Sequence, residues 1–155
     1  MSRLFAAVFI VLLAAGCDGM GGDSSPPPLA GTLWQVEDID GGGIIDRSNI
    51  TLEFPGNTEI AGSTGCNRYF GSLAVGGDRF AVSGTGSTRR ACVPAIMEQE
   101  QRFLAALQDA ATYAVEDDTW LDLFDAAGDR RVRAIRVEEE PATDDTAPDE
   151  PDGAV

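Results

Sequence analysis

Short runs in which apolar and polar residues alternate recur about every ten residues between Thr32 and Val137, with turn-forming Gly, Pro, Asn and Asp between them. Alternation places successive side chains on opposite faces, so such runs read as the half-buried strands of an antiparallel sheet. Thr32 to Ile39 is one strand, carrying Leu33, Trp34 and Val36, and Gly41-Gly42-Gly43 follows it as a loop. Asn49 to Phe54 sets Ile50, Leu52 and Phe54 on one face, and Pro55-Gly56-Asn57 turns it into Glu59 to Ser63. Tyr69 to Val75 meets Arg79 to Val82 through Gly76-Gly77, where glycine tolerates the positive φ of a tight hairpin. Thr119 to Phe124 and Arg131 to Val137 flank Ala126-Ala127-Gly128-Asp129 as a further hairpin.

One segment follows a different period. Pro94 to Ala111 carries Ile96, Phe103 and Leu107 at helical spacing, flanked by Met97 and Leu104, which predicts an amphipathic helix of about four turns. Pro94 suits the first helical turn, and Glu98 and Glu100 are expected near the positive end of the helix dipole. The apolar stripe is read as core.

The segments outside this domain speak of location. Arg3 precedes an apolar stretch from Leu4 to Ala15, about 12 residues, too short to span a bilayer that needs about 20. Leu13-Ala14-Ala15-Gly16 runs directly into Cys17, the pattern of a bacterial lipobox. Residues 1–16 are therefore expected to be a lipoprotein signal peptide, and Cys17 to carry the acyl chains, palmitate among them, that anchor the mature protein. An ordinary secretory signal is the alternative, since Ala14 and Gly16 also fit small-x-small cleavage. The expected location is the bacterial cell envelope, lipid-anchored and facing the periplasm. Asp18 leans towards the inner membrane, with the outer membrane left open. Residues 17–28, Gly/Ser/Pro-rich, read as a tether, residues 29–137 as the folded domain, and residues 138–155 as a disordered acidic tail with eight acidic residues and three prolines.

Charge excludes some partners. The chain has 26 acidic residues against 11 arginines, with no Lys and no His, for a net charge of −15. Nucleic acid, whose phosphates demand cationic side chains, is excluded, as is docking of the folded surface on anionic headgroups. A cationic partner remains open beside a plain solubilising role. The missing histidine removes Ser-His-Asp and Cys-His machinery and the commonest metal ligand.

Three features converge between Gly62 and Leu107. Gly62-Ser63-Thr64-Gly65-Cys66-Asn67-Arg68-Tyr69-Phe70-Gly71 is dense in glycine; Thr88-Arg89-Arg90-Ala91-Cys92 precedes the helix; and Glu100, Phe103 and Leu107 lie on it. With Trp34 and the late strand through Leu121 and Leu123, the chain resembles the META domain family, also known as HslJ-like proteins, over about Leu29 to Ile135. The resemblance implies a mainly β (α+β) fold, a small antiparallel β-barrel-like sheet with one packed α-helix. It marks Trp34, Gly62, Gly65, Asn67, Tyr69, Gly71, Thr88, Glu100, Phe103 and Leu107 as family motif positions. It further implies a paired-cysteine disulfide in many members, frequent placement as envelope lipoproteins, and heat-shock induction in some. No enzymatic activity is established for the family as a whole.

A Cys66–Cys92 bridge also agrees with the residues themselves, because acylation of Cys17 leaves an even number of cysteines in an oxidising compartment. Arg89-Arg90 and the coming helix start next to Cys92 keep a redox-sensing pair open, and reduced thiols are the third reading. Glu100 is expected to be partly buried and bonded to backbone or to an arginine such as Arg89. Asn67 is expected to bond its own turn. Glu116-Asp117-Asp118 with Asp122, Asp125 and Asp129 lacks calcium-loop spacing and reads as a solvated hairpin, so no metal is expected. No catalytic residue and no cofactor are assigned.

The expected function is that of a non-enzymatic envelope lipoprotein, monomeric, held to the membrane through its acyl anchor and meeting an envelope protein or cationic partner in a binding or stress-tolerance role. Inhibition of an extracellular enzyme, a lysozyme or protease, is the first alternative, and carriage of an apolar ligand the second.

Overall fold

A computed structural model describes residues 29–138. The signal peptide, Cys17, the tether and the acidic segment beyond Glu138 lie outside the described residues. Eight strands form a closed antiparallel barrel in which each pairs with the next and the last returns to the first. They are β1 (Thr32–Ile39), β2 (Thr51–Phe54), β3 (Glu59–Ser63), β4 (Arg68–Gly76), β5 (Arg79–Ser87), β6 (Ala110–Glu116), β7 (Trp120–Asp125) and β8 (Arg130–Val137), with helix α1 (Pro94–Asp109) between β5 and β6. Closure runs through β1 and β8, from Leu33 opposite Val137 to Ile39 opposite Val132. Closing the sheet leaves no free edge strand there, the simplest protection against edge-to-edge association.

Alternation fills the interior. Trp34, Val36, Ile50, Leu52, Phe54, Ile60, Tyr69, Phe80, Leu121, Leu123, Val132 and Ala134 all point inward and are buried. Aromatic rings meet edge to face across this space, Phe54 with Phe80 at 6.4 Å and Tyr69 with Phe103 at 5.5 Å between centroids. The geometry is the one that aromatic quadrupoles favour. Helix α1 contacts β1, β5, β7 and β8, so it lies across one end of the barrel and seals it with Phe103, Ala106 and Leu107. Two seams are thin: β5 and β6, between which the helix is inserted, are matched at one register position, Arg79 with Thr112, and β2 and β3 at one, Glu53 with Ala61. The chain enters at Leu29 and leaves at Glu138 at the opposite, open end, where a cleft of about 1030 Å³ is bordered by Gly31, Phe54, Arg136 and Val137.

Several expectations need correction. The helix stops at Asp109, and Ala110–Glu116 is a strand, β6, that the alanine-rich sequence conceals. The first helical turn holds no acidic residue, so Glu98 and Glu100 do not act on the N-terminal dipole. Ile96 is only half-buried; the buried stripe runs through Gln99, Glu100, Phe103, Ala106 and Leu107. The β4–β5 hairpin turns at Gly77-Asp78, one residue later than expected, because Gly76 still pairs with Arg79. Strand β5 continues to Ser87 past an irregularity opposite Phe70 and Ser72, where Gly84 takes φ +61°. A bulge needing positive φ is what breaks the alternation after Val82.

Candidate functional site

Most of the family-motif positions gather at the helix-covered end; Trp34 does not, standing on β1 opposite Arg136 near the open end. The connection from β3 to β4 is a tight loop in which the Thr64 amide donates to the Asn67 carbonyl at 2.7 Å and the Thr64 hydroxyl oxygen accepts from the Asn67 amide at 2.8 Å. Gly65 takes φ +87° in this loop, a left-handed conformation that side chains resist. Just before it, a Cβ on Gly62 would stand 2.2 Å from the Thr51 carbonyl oxygen. That spacing accounts for glycine at the position more directly than turn propensity does.

Helix α1 holds the loop from above. Glu100, only 9% exposed, accepts from the Thr64 hydroxyl at 2.8 Å on one carboxylate oxygen and from the Asn67 side-chain amide at 3.0 Å on the other. The partners are therefore Thr64 and Asn67, in place of the expected backbone or Arg89. The expectation that the Asn67 side chain bonds its own turn is not met: it reaches Glu100, Thr88 and Arg90. Its carbonyl oxygen accepts from the Arg90 amide at 2.7 Å and the Thr88 hydroxyl at 2.8 Å, tying β4 to the segment after β5. Thr88, Asn67 and Glu100 thus form one connected chain of hydrogen bonds. The Cys66–Cys92 disulfide closes beside it, with Cα atoms 6.1 Å apart.

Gln99, which is not among the residues the sequence marks, performs the same service for a second loop. Its amide nitrogen donates to the Ser48 hydroxyl at 2.7 Å and its oxygen accepts from the Ile45 amide at 2.6 Å. Gln99 lies four residues before Phe103 on the same helical face, and that spacing is the signal that could have found it. Thr64 stands inside the glycine-rich run, but its role depends on a helix 36 residues away, which local sequence does not display.

Below this layer, the Tyr69 hydroxyl donates to the Thr51 carbonyl at 3.0 Å. Burial, and secondarily the charge of Glu53, pushes its ionisation well above the ordinary phenol range. Trp34, Gly71, Phe103 and Leu107 serve packing: Trp34 carries the Arg136 guanidinium 5.5 Å from its ring, and a Cβ on Gly71 would press on Thr85 and Val82.

The acidic residues divide between turns and ion pairs. Asp117 and Asp118 both take positive φ in the turn between β6 and β7. Asp125 accepts from the amides of Asp129 and Ala127; these bonds, that of Asp129 foremost, hold its carboxyl below the usual range. Arg131 bridges Asp40 at 2.6 Å, Asp109 at 3.0 Å and Asp125 at 3.6 Å, joining the ends of β1, α1 and β7. Asp122 is different. Burial raises its carboxyl above the ordinary range, Arg133 and Arg130 offset part of that rise, and its Oδ1 is buried with no hydrogen bond. Among the described residues no group of three or more His, Cys, Asp or Glu is placed to hold a metal ion.

A closed eight-strand meander, capped by one helix that grips its β3–β4 loop through a buried carboxylate, defines a compact class of β-barrel domain. The META domain family matches residues 27–138, and the chain belongs to that family. A protein from Burkholderia xenovorans solved by NMR is similar to it, with 23% identity and a TM-score of 0.60, over 83% of this chain and 100% of that one. A DUF4847 family protein from Bacteroides vulgatus, solved by crystallography, matches at 13% identity and a TM-score of 0.53, over 72% of this chain and 96% of that one. At such identities the likeness is one of fold. None of the curated proteins matches the chain.

Proposed function

We propose that the protein is a non-enzymatic lipoprotein of the bacterial cell envelope, in which a rigid META domain hangs from acylated Cys17 and binds a partner in support of stress tolerance. The observation that carries this reading is the use made of the motif's polar groups. Both oxygens of Glu100 and both ends of the Asn67 amide are taken up in bracing one loop against one helix. A general acid or base needs a free lone pair or proton within reach of substrate, and a side chain held on both sides by structural partners has neither to offer. The lipobox before Cys17 supports the anchor. Because the chain enters the barrel at its open end, the tether leaves the helix-covered end turned towards the periplasmic space.

The interior, filled by Trp34, Phe54, Tyr69, Phe80 and Phe103, favours recognition at the surface over carriage of an apolar ligand inside. The test is turnover. Purified protein is offered peptidoglycan, peptide and ester substrates alongside a Glu100→Gln variant. No turnover by either protein is the expected result; turnover that Glu100→Gln abolishes would overturn the reading. The same preparations, added to lysozyme and to periplasmic proteases, are expected to leave their rates unchanged; a dose-dependent fall would move the function to enzyme inhibition.

A further inference from the structure

Among the described residues, Arg47, Arg79, Arg89, Arg90 and Arg102 have no carboxylate within ion-pairing distance, although the chain carries a net charge of −15. Arg89 and Arg90 are exposed and adjacent. Their neighbour Thr88 is bonded in both directions to Arg68, its amide donating to the Arg68 carbonyl at 3.0 Å and its hydroxyl accepting from the Arg68 amide at 3.2 Å. Arg68 reaches Glu53 only loosely, at 3.4 Å, with 69% of its side chain exposed. Two large apolar side chains are exposed on the same stretches of chain: Phe70, 63% exposed, two residues after Arg68 with its ring over Gly86, and Val93, 64% exposed, three residues after Arg90. The disulfide and the Asn67–Arg90 bond fix the backbone beneath. The result is a rigid cationic and apolar patch at the helix-covered end.

We propose that this patch holds the acidic C-terminal segment of the same chain, through Asp149, Glu150 and Asp152. Reach selects those residues. Strand β8 ends at Val137 at the open end, and β4 lies half-way round the barrel, four strands away. Half the girth of an eight-strand barrel is about 20–25 Å and its height about 20 Å, so the path over the surface is roughly 30–35 Å. Counted from Glu138, Asp145 can extend only about 23 Å, whereas residues 149–152 can extend about 36–46 Å. The segment Pro148-Asp149-Glu150-Pro151-Asp152 combines carboxylates with prolines, as the patch combines arginines with the exposed Phe70 and Val93. At the open end Arg133 and Arg136 are already paired with Glu116 and Asp118, and Asp117 repels the same segment. At physiological ionic strength a Debye length of about 8 Å lets the local arginines dominate over the domain's remote carboxylates. Attachment to the same chain supplies an effective concentration in the millimolar range, about what weak ion pairing requires.

The test compares NMR spectra of the isotope-labelled full chain with those of its Asp149→Asn/Glu150→Gln/Asp152→Asn variant. The amide and guanidinium signals of Arg68, Arg89 and Arg90, and the amides of Phe70 and Val93, are expected to differ between the two at low salt. Salt at about 1 M, where the Debye length is about 3 Å, is expected to bring the parent signals onto those of the variant. Arg79, unpaired but at the other end of the barrel, and a Glu139→Gln/Glu140→Gln variant serve as controls that should not move the patch. Coincident patch signals at low salt, or equal shifts at Arg79, would overturn the proposal. Differences that fade on dilution would overturn it too, assigning the segment to a second copy.

Discussion

Replacing Gly62 by alanine is predicted to be among the most damaging single-methyl additions in the domain. The new Cβ would sit 2.2 Å from the Thr51 carbonyl oxygen, 2.9 Å from its carbonyl carbon and 3.0 Å from its Oγ1. An ordinary carbon–oxygen contact is about 3.3 Å, so β2 and β3 would have to part by about 1 Å. The obstacle is backbone inside a sheet and cannot rotate away. Gly62 also takes φ +153°, which L side chains rarely adopt. The carbonyl in question accepts the buried Tyr69 hydroxyl, and the Thr51 hydroxyl accepts the Ser63 amide at 3.0 Å, so both bonds are strained by the same displacement. Overpacking costs about 1–3 kcal/mol, backbone strain about 1–3, and a buried hydroxyl deprived of its acceptor about 1–3. Even with partial relaxation the loss should reach about 3–5 kcal/mol, a large part of the 5–15 kcal/mol typical of a domain. Thermal unfolding followed by circular dichroism should show Tm lowered by about 12 °C or more. Gly56→Ala, where nothing lies within 4 Å of the added carbon, is the matched control and should leave Tm unchanged. A Gly62→Ala fall of less than about 4 °C would refute the steric reasoning.

Other consequences can be measured on the same material. Cys66→Ser/Cys92→Ser opens a loop with a sequence separation of 26 and should destabilise by about 3.5 kcal/mol in denaturant titrations; an unchanged midpoint would mean that the bridge adds nothing beyond the hydrogen bonds around it. Glu100→Ala strips the Asn67 amide and Thr64 hydroxyl of their acceptor and should cost about 2–4 kcal/mol. Glu100→Gln should recover more than half of that loss, since the Thr64 hydroxyl can turn to the Asn67 carbonyl 3.0 Å away. Equal losses for the two variants would contradict this network. For Asp122 the folded carboxyl is raised above its unfolded value, so the folded state binds the proton more tightly and stability falls as pH rises through the carboxylate range. Asp122→Asn removes that dependence: its Tm should gain on the parent as pH rises through that interval, and parallel Tm–pH curves would count against it.

Strong alternation made β1 and β3 legible to the residue, and Pro94 marked the helix start, because each signal is local. Strand β6 was hidden because Ala110 and Ala111 continue a helix as readily as they begin a strand, leaving only Tyr113 and Val115 to show the change of period. The span of β5 was cut short for the opposite reason: Gly84 and Gly86 interrupt the pattern where a bulge and the ring of Phe70 require small residues. At the site, the sequence pointed to Asn67, Thr88 and Glu100 as members of one constellation, but not to how they join. The bond from Glu100 to Thr64 crosses 36 positions, and that from Gln99 to Ser48 crosses 51. Such bonds follow from laying the helix across the barrel end, a tertiary event with no local trace.

The most direct test of a tethered, disulfide-closed domain is the intact mass of the protein extracted from membranes, with and without reduction, followed by thiol alkylation. The predicted result is a lipid-sized addition on a chain beginning at Cys17, with Cys66 and Cys92 alkylated only after reduction. An unlipidated chain would contradict the anchor, and alkylation of Cys66 and Cys92 without reduction would contradict the bridge that closes the domain.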